Sequence, residues 1–138
     1  MKENEPQKQR DTRQRRMVLE AVLRRPDHPT AEEIYGEVRR FDDKISRGTV
    51  YRNLKVLADN GEVLRIAVPG ADRFEPANPP HYHVYCTVCG RVVDAQVPYF
   101  ADADAEVESH TGFRVSRHLT VFEAVCPLCR ERAEREST

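Results

Sequence analysis

Ser46-Arg47-Gly48-Thr49-Val50-Tyr51-Arg52-Asn53-Leu54-Lys55-Val56-Leu57-Ala58-Asp59-Asn60-Gly61 is the stretch on which the fold turns. Val50, Leu54, Leu57 and Ala58 share one face of a 3.6-residue period, Ser46 or Thr49 can start a helix, and Asn60-Gly61 can end one. After Gly61 the period changes. Val63 to Val68 and Ala71 to Glu75 read as the arms of a hairpin, with Pro69-Gly70 suited to positions i+1 and i+2 of a type II turn. Two further helices precede the stretch. In the first, roughly 10–25, Val18, Ala21 and Val22 recur at i, i+3 and i+4, widened by Leu19 and Leu23 and stopped by Pro26. In the second, Thr30 and Glu33 have the spacing of a capping box ahead of Ile34 and Val38. Three helices and a hairpin are the parts of a winged helix, whose third helix enters the major groove of DNA. Its outward face carries Arg47, Tyr51, Arg52 and Lys55, cations for phosphates and an aromatic that can touch bases. The competing reading of Tyr51 is packing against the second helix.

Charge divides the chain in the same place. Residues 1–68 hold 15 basic and 12 acidic side chains, and residues 69–138 hold 7 and 11, within totals of 22 and 23. The basic excess peaks between Lys8 and Arg25, a run that includes Arg15 and adds it to the candidate DNA contacts; a solvated helix face is the alternative. No apolar run approaches the roughly 18 residues of a membrane helix, and the start, MKENEPQKQR, has no apolar signal stretch. The expectation is a soluble cytoplasmic protein with no membrane association.

Glu75-Pro76-Ala77-Asn78-Pro79-Pro80 is a stiff, turn-rich linker. Beyond it, short strands are expected around His81 to Tyr85 and Arg91 to Asp94. A helix is expected from about Pro98 to His110, closed by Gly112, then a strand from Phe113 to Val125, and a disordered polar tail from Glu131, ERAEREST. All four cysteines lie in two Cys-x-x-Cys pairs, Cys86/Cys89 and Cys126/Cys129. Two such knuckles complete a tetrahedral four-thiolate shell around Zn(II) with no open position, so the metal is structural, stapling the end of a small second domain to its beginning. A disulfide framework and a thioredoxin-like redox pair are the rival readings.

His81-x-His83 lies on an expected strand, where a period of two turns both imidazoles to one face about 7 Å apart. That is half of a metal site, which Glu75, Asp94 and His28 are candidates to complete. Imidazoles and carboxylates without a thiolate suit Fe(II), Mn(II) or Zn(II). Two surface histidines with no ligand are the plainer alternative.

His28-Pro29-Thr30-Ala31-Glu32-Glu33-Ile34-Tyr35, Gly48-Thr49-Val50-Tyr51-Arg52-Asn53-Leu54, His81-Tyr82-His83 running into Cys86-Thr87-Val88-Cys89-Gly90, and Cys126-Pro127-Leu128-Cys129 occur in that order. On these motifs, over about residues 10–130, the chain resembles the ferric uptake regulator family of bacterial metal-dependent repressors. The resemblance implies an α+β chain: an N-terminal winged-helix DNA-binding domain over 1–75, a hinge at 76–80, a small α/β dimerisation and metal-binding domain over 81–130, and a polar tail at 131–138. It also implies a structural zinc at Cys86, Cys89, Cys126 and Cys129, and a regulatory metal at the hinge on His28, Glu75, His81, His83 and Asp94. The expected function is repression by a homodimer that binds a near-palindromic double-stranded operator when Fe(II) or Mn(II) fills the regulatory site, with release by peroxide.

Branch signals conflict. The peroxide-sensing branch has aspartate where this chain has Glu75, whereas the iron-sensing branch often has extra ligands where this chain has Pro80 and Tyr82. The alternatives are a zinc-responsive repressor of the same family and a thiol oxidoreductase using one Cys-x-x-Cys. A zinc-ribbon hydrolase would need an open metal position and a general base, and a zinc-dependent RNA-binding module would prefer single strands. No catalytic residues are assigned, and an enzyme is not expected.

Overall fold

Three helices and a hairpin make the first of two units, which divide between Ala77 and Asn78. The computed structural model describes residues 5–137; Met1 to Asn4 and Thr138, assigned above to the first domain and the tail, lie outside the described residues. Helix α1 spans Gln7–Leu23, α2 Ala31–Arg39 and α3 Arg47–Asp59. Each buries the stripe its sequence offers: Val18, Ala21 and Val22; Ile34, Tyr35 and Val38; Val50, Leu54 and Leu57. Ile45, Val63 and Phe74 close the cluster. Local side-chain chemistry sets the helix ends. Thr30 Oγ1 accepts from the Glu33 N–H at 3.2 Å while the Glu33 carboxylate accepts from the Thr30 N–H at 3.0 Å, the reciprocal capping box. Ser46 Oγ accepts from the Thr49 N–H. At the other end of α3, Gly61 adopts φ +76°, and the N–H groups of Gly61 and Glu62 close back on the carbonyls of Ala58 and Leu57 in a Schellman motif.

Strands β1 (Val63–Ile66) and β2 (Arg73–Pro76) pair antiparallel, Ile66 opposite Arg73 and Val63 opposite Pro76. Both are shorter than the sequence suggests, because Pro69 has no N–H to donate and Gly70 turns at φ +91°. The other edge of β2 receives the 28–30 segment. Phe74 N–H donates to the Pro29 carbonyl at 2.9 Å, Arg73 Nη1 donates to the His28 carbonyl, and Thr30 bridges Arg73. This lateral pairing carries His28 to the strand that bears Glu75.

The second unit is a three-stranded sheet with two helices. β3 (His83–Cys86) pairs antiparallel with β4 (Val92–Asp94) and parallel with β5 (Val121–Ala124), giving the order β4-β3-β5. α4 (Asp102–Thr111) lies between β4 and β5 in the chain, and α5 (Pro127–Glu136) follows β5. Gly112 ends α4 at φ +76°. Two expectations are corrected here. The strand over Phe113 to Val125 is confined to Val121–Ala124, because other acceptors take the earlier N–H groups: Phe113 donates to Thr111 Oγ1, Val115 to Glu108 Oε1 and His118 to Tyr99 Oη. The tail from Glu131 is helical through Glu136, since Pro127 starts the helix, Cys129 anchors its first turn, and Glu, Arg and Ala propagate it.

Candidate metal centres and nucleic-acid face

Parallel pairing sets Cys86 opposite Ala124, which brings the two knuckles to the same end of the sheet. The first knuckle turns at Gly90, φ +80°, whose N–H donates to the Cys86 carbonyl at 2.9 Å. In the second, Cys126 precedes α5 and Cys129 lies in its first turn, with the Arg130 N–H on the Cys126 carbonyl. All four sulfurs lie within 4.8 Å of one another, and Cys89 Sγ is 3.9 Å from Cys126 Sγ. A disulfide needs about 2.05 Å, whereas a tetrahedron of sulfurs around Zn(II) at about 2.3 Å has edges of about 3.8 Å. The Cys86 thiol is drawn down to about 6, first by the Cys89 N–H and then by the Cys126 N–H, which point at its sulfur. Cys129 is pushed up to about 12, first by the neighbouring Cys126 sulfur and then by burial. Four sulfurs in one place ionise together only around a cation, so the donor set fits Zn(II) with no position left open.

The histidine and carboxylate candidates fall into two groups, one per unit. In the first unit His28 Nε2 lies 3.0 Å from Glu75 Oε2, with both residues buried. His28 holds φ +55°, a left-handed conformation that costs a non-glycine residue about 1–2 kcal/mol. The bonds from Arg73 and Phe74 flanking it keep it there. In the second unit His83 is paired in register with Asp94 across β3 and β4. The two imidazole centroids lie 4.5 Å apart with the rings tilted by 51°, and Asp94 Oδ1 lies 3.3 Å from His81 Nε2 and 3.5 Å from His83 Nε2. His81 stands just before β3 rather than on it. Its Nδ1 lies 3.0 Å from the Pro79 carbonyl, which only accepts, so Nδ1 donates there and Nε2 is the nitrogen that faces the carboxylate. Imidazole nitrogens facing a carboxylate oxygen are a donor set that fits a divalent cation between them.

The outer face of α3 carries Arg47, Tyr51, Arg52 and Lys55, all exposed. Arg47 is forked onto Glu32, with Nε and Nη2 at 3.1 and 2.9 Å from Oε1, and its guanidinium lies 4.6 Å over the Tyr35 ring. Tyr51 Oη donates to the same carboxylate at 3.4 Å, and the Arg47 bonds hold Glu32 below the ordinary carboxylate range. Lys55 pairs with Asp59 one turn on. Arg52 has no ion-pair partner among the described residues. Arg15 turns inward, Nε donating to Asn53 Oδ1 at 3.2 Å, and Asn53 in turn donates to the Thr49 carbonyl, so this cation ties α1 to α3.

A sequence profile described as the Ferric uptake regulator family matches residues 7–122. The chain belongs to the ferric uptake regulator family. It is 34% identical over 124 residues to the peroxide operon regulator of Bacillus subtilis, covering 89% of this chain and 86% of that one. It is 33% identical over the same length to the peroxide-responsive repressor of Staphylococcus aureus, covering 89% and 84%. Among solved structures, the peroxide stress regulator of Campylobacter jejuni matches with a TM-score of 0.73 at 29% identity over 88% of this chain and 93% of that one. The ferric uptake regulator of Helicobacter pylori, described as having three functional metal binding sites, matches at 0.72 and 25% over 86% and 80%. The chain is accordingly a metal-responsive transcriptional regulator. Among the described residues no helix is long and apolar enough to cross a membrane.

Two features of this family member are not legible in the sequence. Glu32 shows there only as part of the entrance to α2, and nothing local marks it as the partner of Arg47 fifteen residues away. The second is a closed network on Tyr82, which alternates to the opposite side from His81 and His83. His118 Nδ1 donates to Asp104 Oδ1 at 2.6 Å and its Nε2 is hydrogen-bonded with Tyr82 Oη at 2.8 Å. Tyr82 Oη accepts from the Phe100 N–H, and Tyr99 Oη donates to Asp104 Oδ2. The His118 bond holds the Asp104 carboxyl low. These bonds order the segments around α4 that have no sheet partner.

Proposed function

We infer that the chain is a metal-dependent repressor that binds a double-stranded operator as a homodimer. The observation that carries the reading is the paired donor sets: His28 with Glu75, and His81 and His83 with Asp94, each an imidazole facing a carboxylate. In this reading Cys86, Cys89, Cys126 and Cys129 hold structural Zn(II), and all five His, Glu and Asp residues hold a regulatory Fe(II) or Mn(II). When bound, the ion would supply the positive charge that these carboxylates and imidazole nitrogens ligate. Because His28 and Glu75 belong to the DNA-binding unit and the others do not, ligands drawn from both sets restrict how the units are disposed. Ligation favours DNA binding only as far as it discriminates between those dispositions.

Arg47, Tyr51, Arg52 and Lys55 then meet the major groove, with Arg15 orienting α1 against α3. Two copies at fixed spacing read half-sites about one helical turn or a multiple apart. Exposed Phe113, Leu119 and Phe122 in the second unit support a self-association surface. The names of the Bacillus and Staphylococcus relatives support peroxide as the releasing signal.

The test is binding of a selected operator duplex with Fe(II), Mn(II) and Zn(II) in turn, before and after peroxide. Metal-enhanced binding by Fe(II) and Mn(II), lost after peroxide only with Fe(II), is expected. Equal affinity with and without every metal would overturn the reading, and a response to Zn(II) alone would make the chain a zinc sensor.

A further inference from the structure

A carboxylate on a DNA-reading face is electrostatically out of place, since it opposes the phosphates that supply most of the affinity. Glu32 is nevertheless held there from three sides. It lies in the first turn of α2, where the helix dipole favours a negative charge. It receives the Arg47 fork, and it receives the Tyr51 hydroxyl. The Arg47 guanidinium is further fixed over Tyr35, whose ring belongs to the buried core. Two candidate DNA contacts are thus committed to one exposed carboxylate rather than free to meet any phosphate.

We propose that Glu32 is a specificity-determining residue that holds Arg47 and Tyr51 back from indiscriminate contact with the phosphate backbone. The proposal rests on the DNA-binding reading above. A non-cognate duplex that captures Arg47 exchanges one bidentate anion for another and leaves Glu32 unpaired beside phosphates, so the exchange yields little. A cognate duplex that presents a base amino group in the major groove, cytosine N4 above all, gives Glu32 a new donor while releasing Arg47 and Tyr51. The residue therefore raises the ratio of specific to non-specific binding rather than affinity as such.

The experiment uses the full chain loaded with zinc and Mn(II), a duplex selected by that protein from random-sequence DNA, and a scrambled duplex of equal length. In Glu32→Gln the scrambled duplex should bind on the order of tenfold more tightly, with a salt slope steeper by about one. The selected duplex should gain less, so the ratio falls. Glu32→Asp, which keeps the charge, should restore most of the ratio. In an Arg47→Ala background Glu32→Gln should tighten the scrambled duplex much less, because the held cation is gone. Unchanged scrambled-duplex affinity and slope in Glu32→Gln would overturn the proposal, as would a uniform loss on both duplexes, which marks a purely structural residue. If the wild-type protein selects no sequence, the DNA-binding reading fails first and the proposal falls with it.

Discussion

The two units reach order by different means. In the first, every helix contributes fully buried side chains, with Val18, Ile34, Val50 and Leu54 at 1% exposure or less. In the second, the buried residues among those described are His83, Cys86, Val92 and Cys129, and α4 buries none. Phe100, Val107, Phe113, Leu119 and Phe122 stay exposed there. One unit has an apolar core and, in the proposed reading, lends its surface to recognition. The other has the candidate metal ligands where a core would be and apolar side chains where a surface would be, which is what the proposed completion by zinc and a second copy requires.

The largest expected effect breaks the second unit alone. Cys126→Ser removes a thiolate from a site whose zinc contributes on the order of 10 kcal/mol in small zinc domains. Zinc content should drop and the second unit should become protease-sensitive, while the helical signal of α1 to α3 persists. Full zinc stoichiometry with an intact unit in this variant would mean that the cluster does not hold the fold together. The converse is Leu54→Ala, which opens a cavity in the first core at a cost of about 3 kcal/mol. Denaturant unfolding should show the loss with zinc content unaltered, and release of zinc along with it would mean the units do not stand independently.

Between those extremes comes the residue proposed to join them functionally. His28→Ala should leave zinc and metal-free DNA affinity intact but remove the gain that metal confers, a coupling of about 1–3 kcal/mol. His81→Ala should do the same from the other unit, and the double variant should cost little more than either, since both break one coupled set. Metal-enhanced binding that persists in His28→Ala would detach the first unit from the sensor.

How legible each unit is in the sequence follows from the range of its determinants. The α2 cap, the α3 stripe and the Gly61 stop are encoded within a few residues, and all three can be read from the order of residues alone. The zinc cluster is readable for the same reason, because a two-residue spacing between thiols is a local geometric statement. β5 and α5 are not. Whether Phe113 to Thr120 joins a sheet depends on Tyr99 and Glu108 competing for its N–H groups, and the helix from Pro127 depends on an anchor at Cys129. The inward turn of Arg15 is the clearest case. Its charge reads as a surface property, but its hydrogen bond to Asn53 joins residues far apart in sequence, which no periodicity reports.

The smallest effect tests whether a purely local device matters to the first unit. Thr30→Ala removes the hydroxyl that accepts from the Glu33 N–H and should cost about 1 kcal/mol, or a fall of about 4–8 °C in the melting of a unit this size. The reciprocal bond adds a pH signature. Glu33 is held below its ordinary value, first by the Thr30 N–H and then by the Thr30 side chain and Arg25, against an opposing contribution from burial. A carboxylate whose folded value is depressed stabilises the fold above its unfolded value, and that contribution disappears as the pH falls through the folded value. Glu33→Gln should therefore lower stability at neutral pH and converge with the wild type on acidification into the carboxylate range. Thr30→Ala, which keeps the backbone N–H that Glu33 accepts, should retain most of that pH dependence. Because Thr30 also bridges Arg73 beside His28, thermal melts should be paired with metal-dependent DNA binding. A cap that only stabilises α2 leaves the metal response unchanged, and a weakened response would show that the same hydrogen bonds also set the left-handed turn at His28.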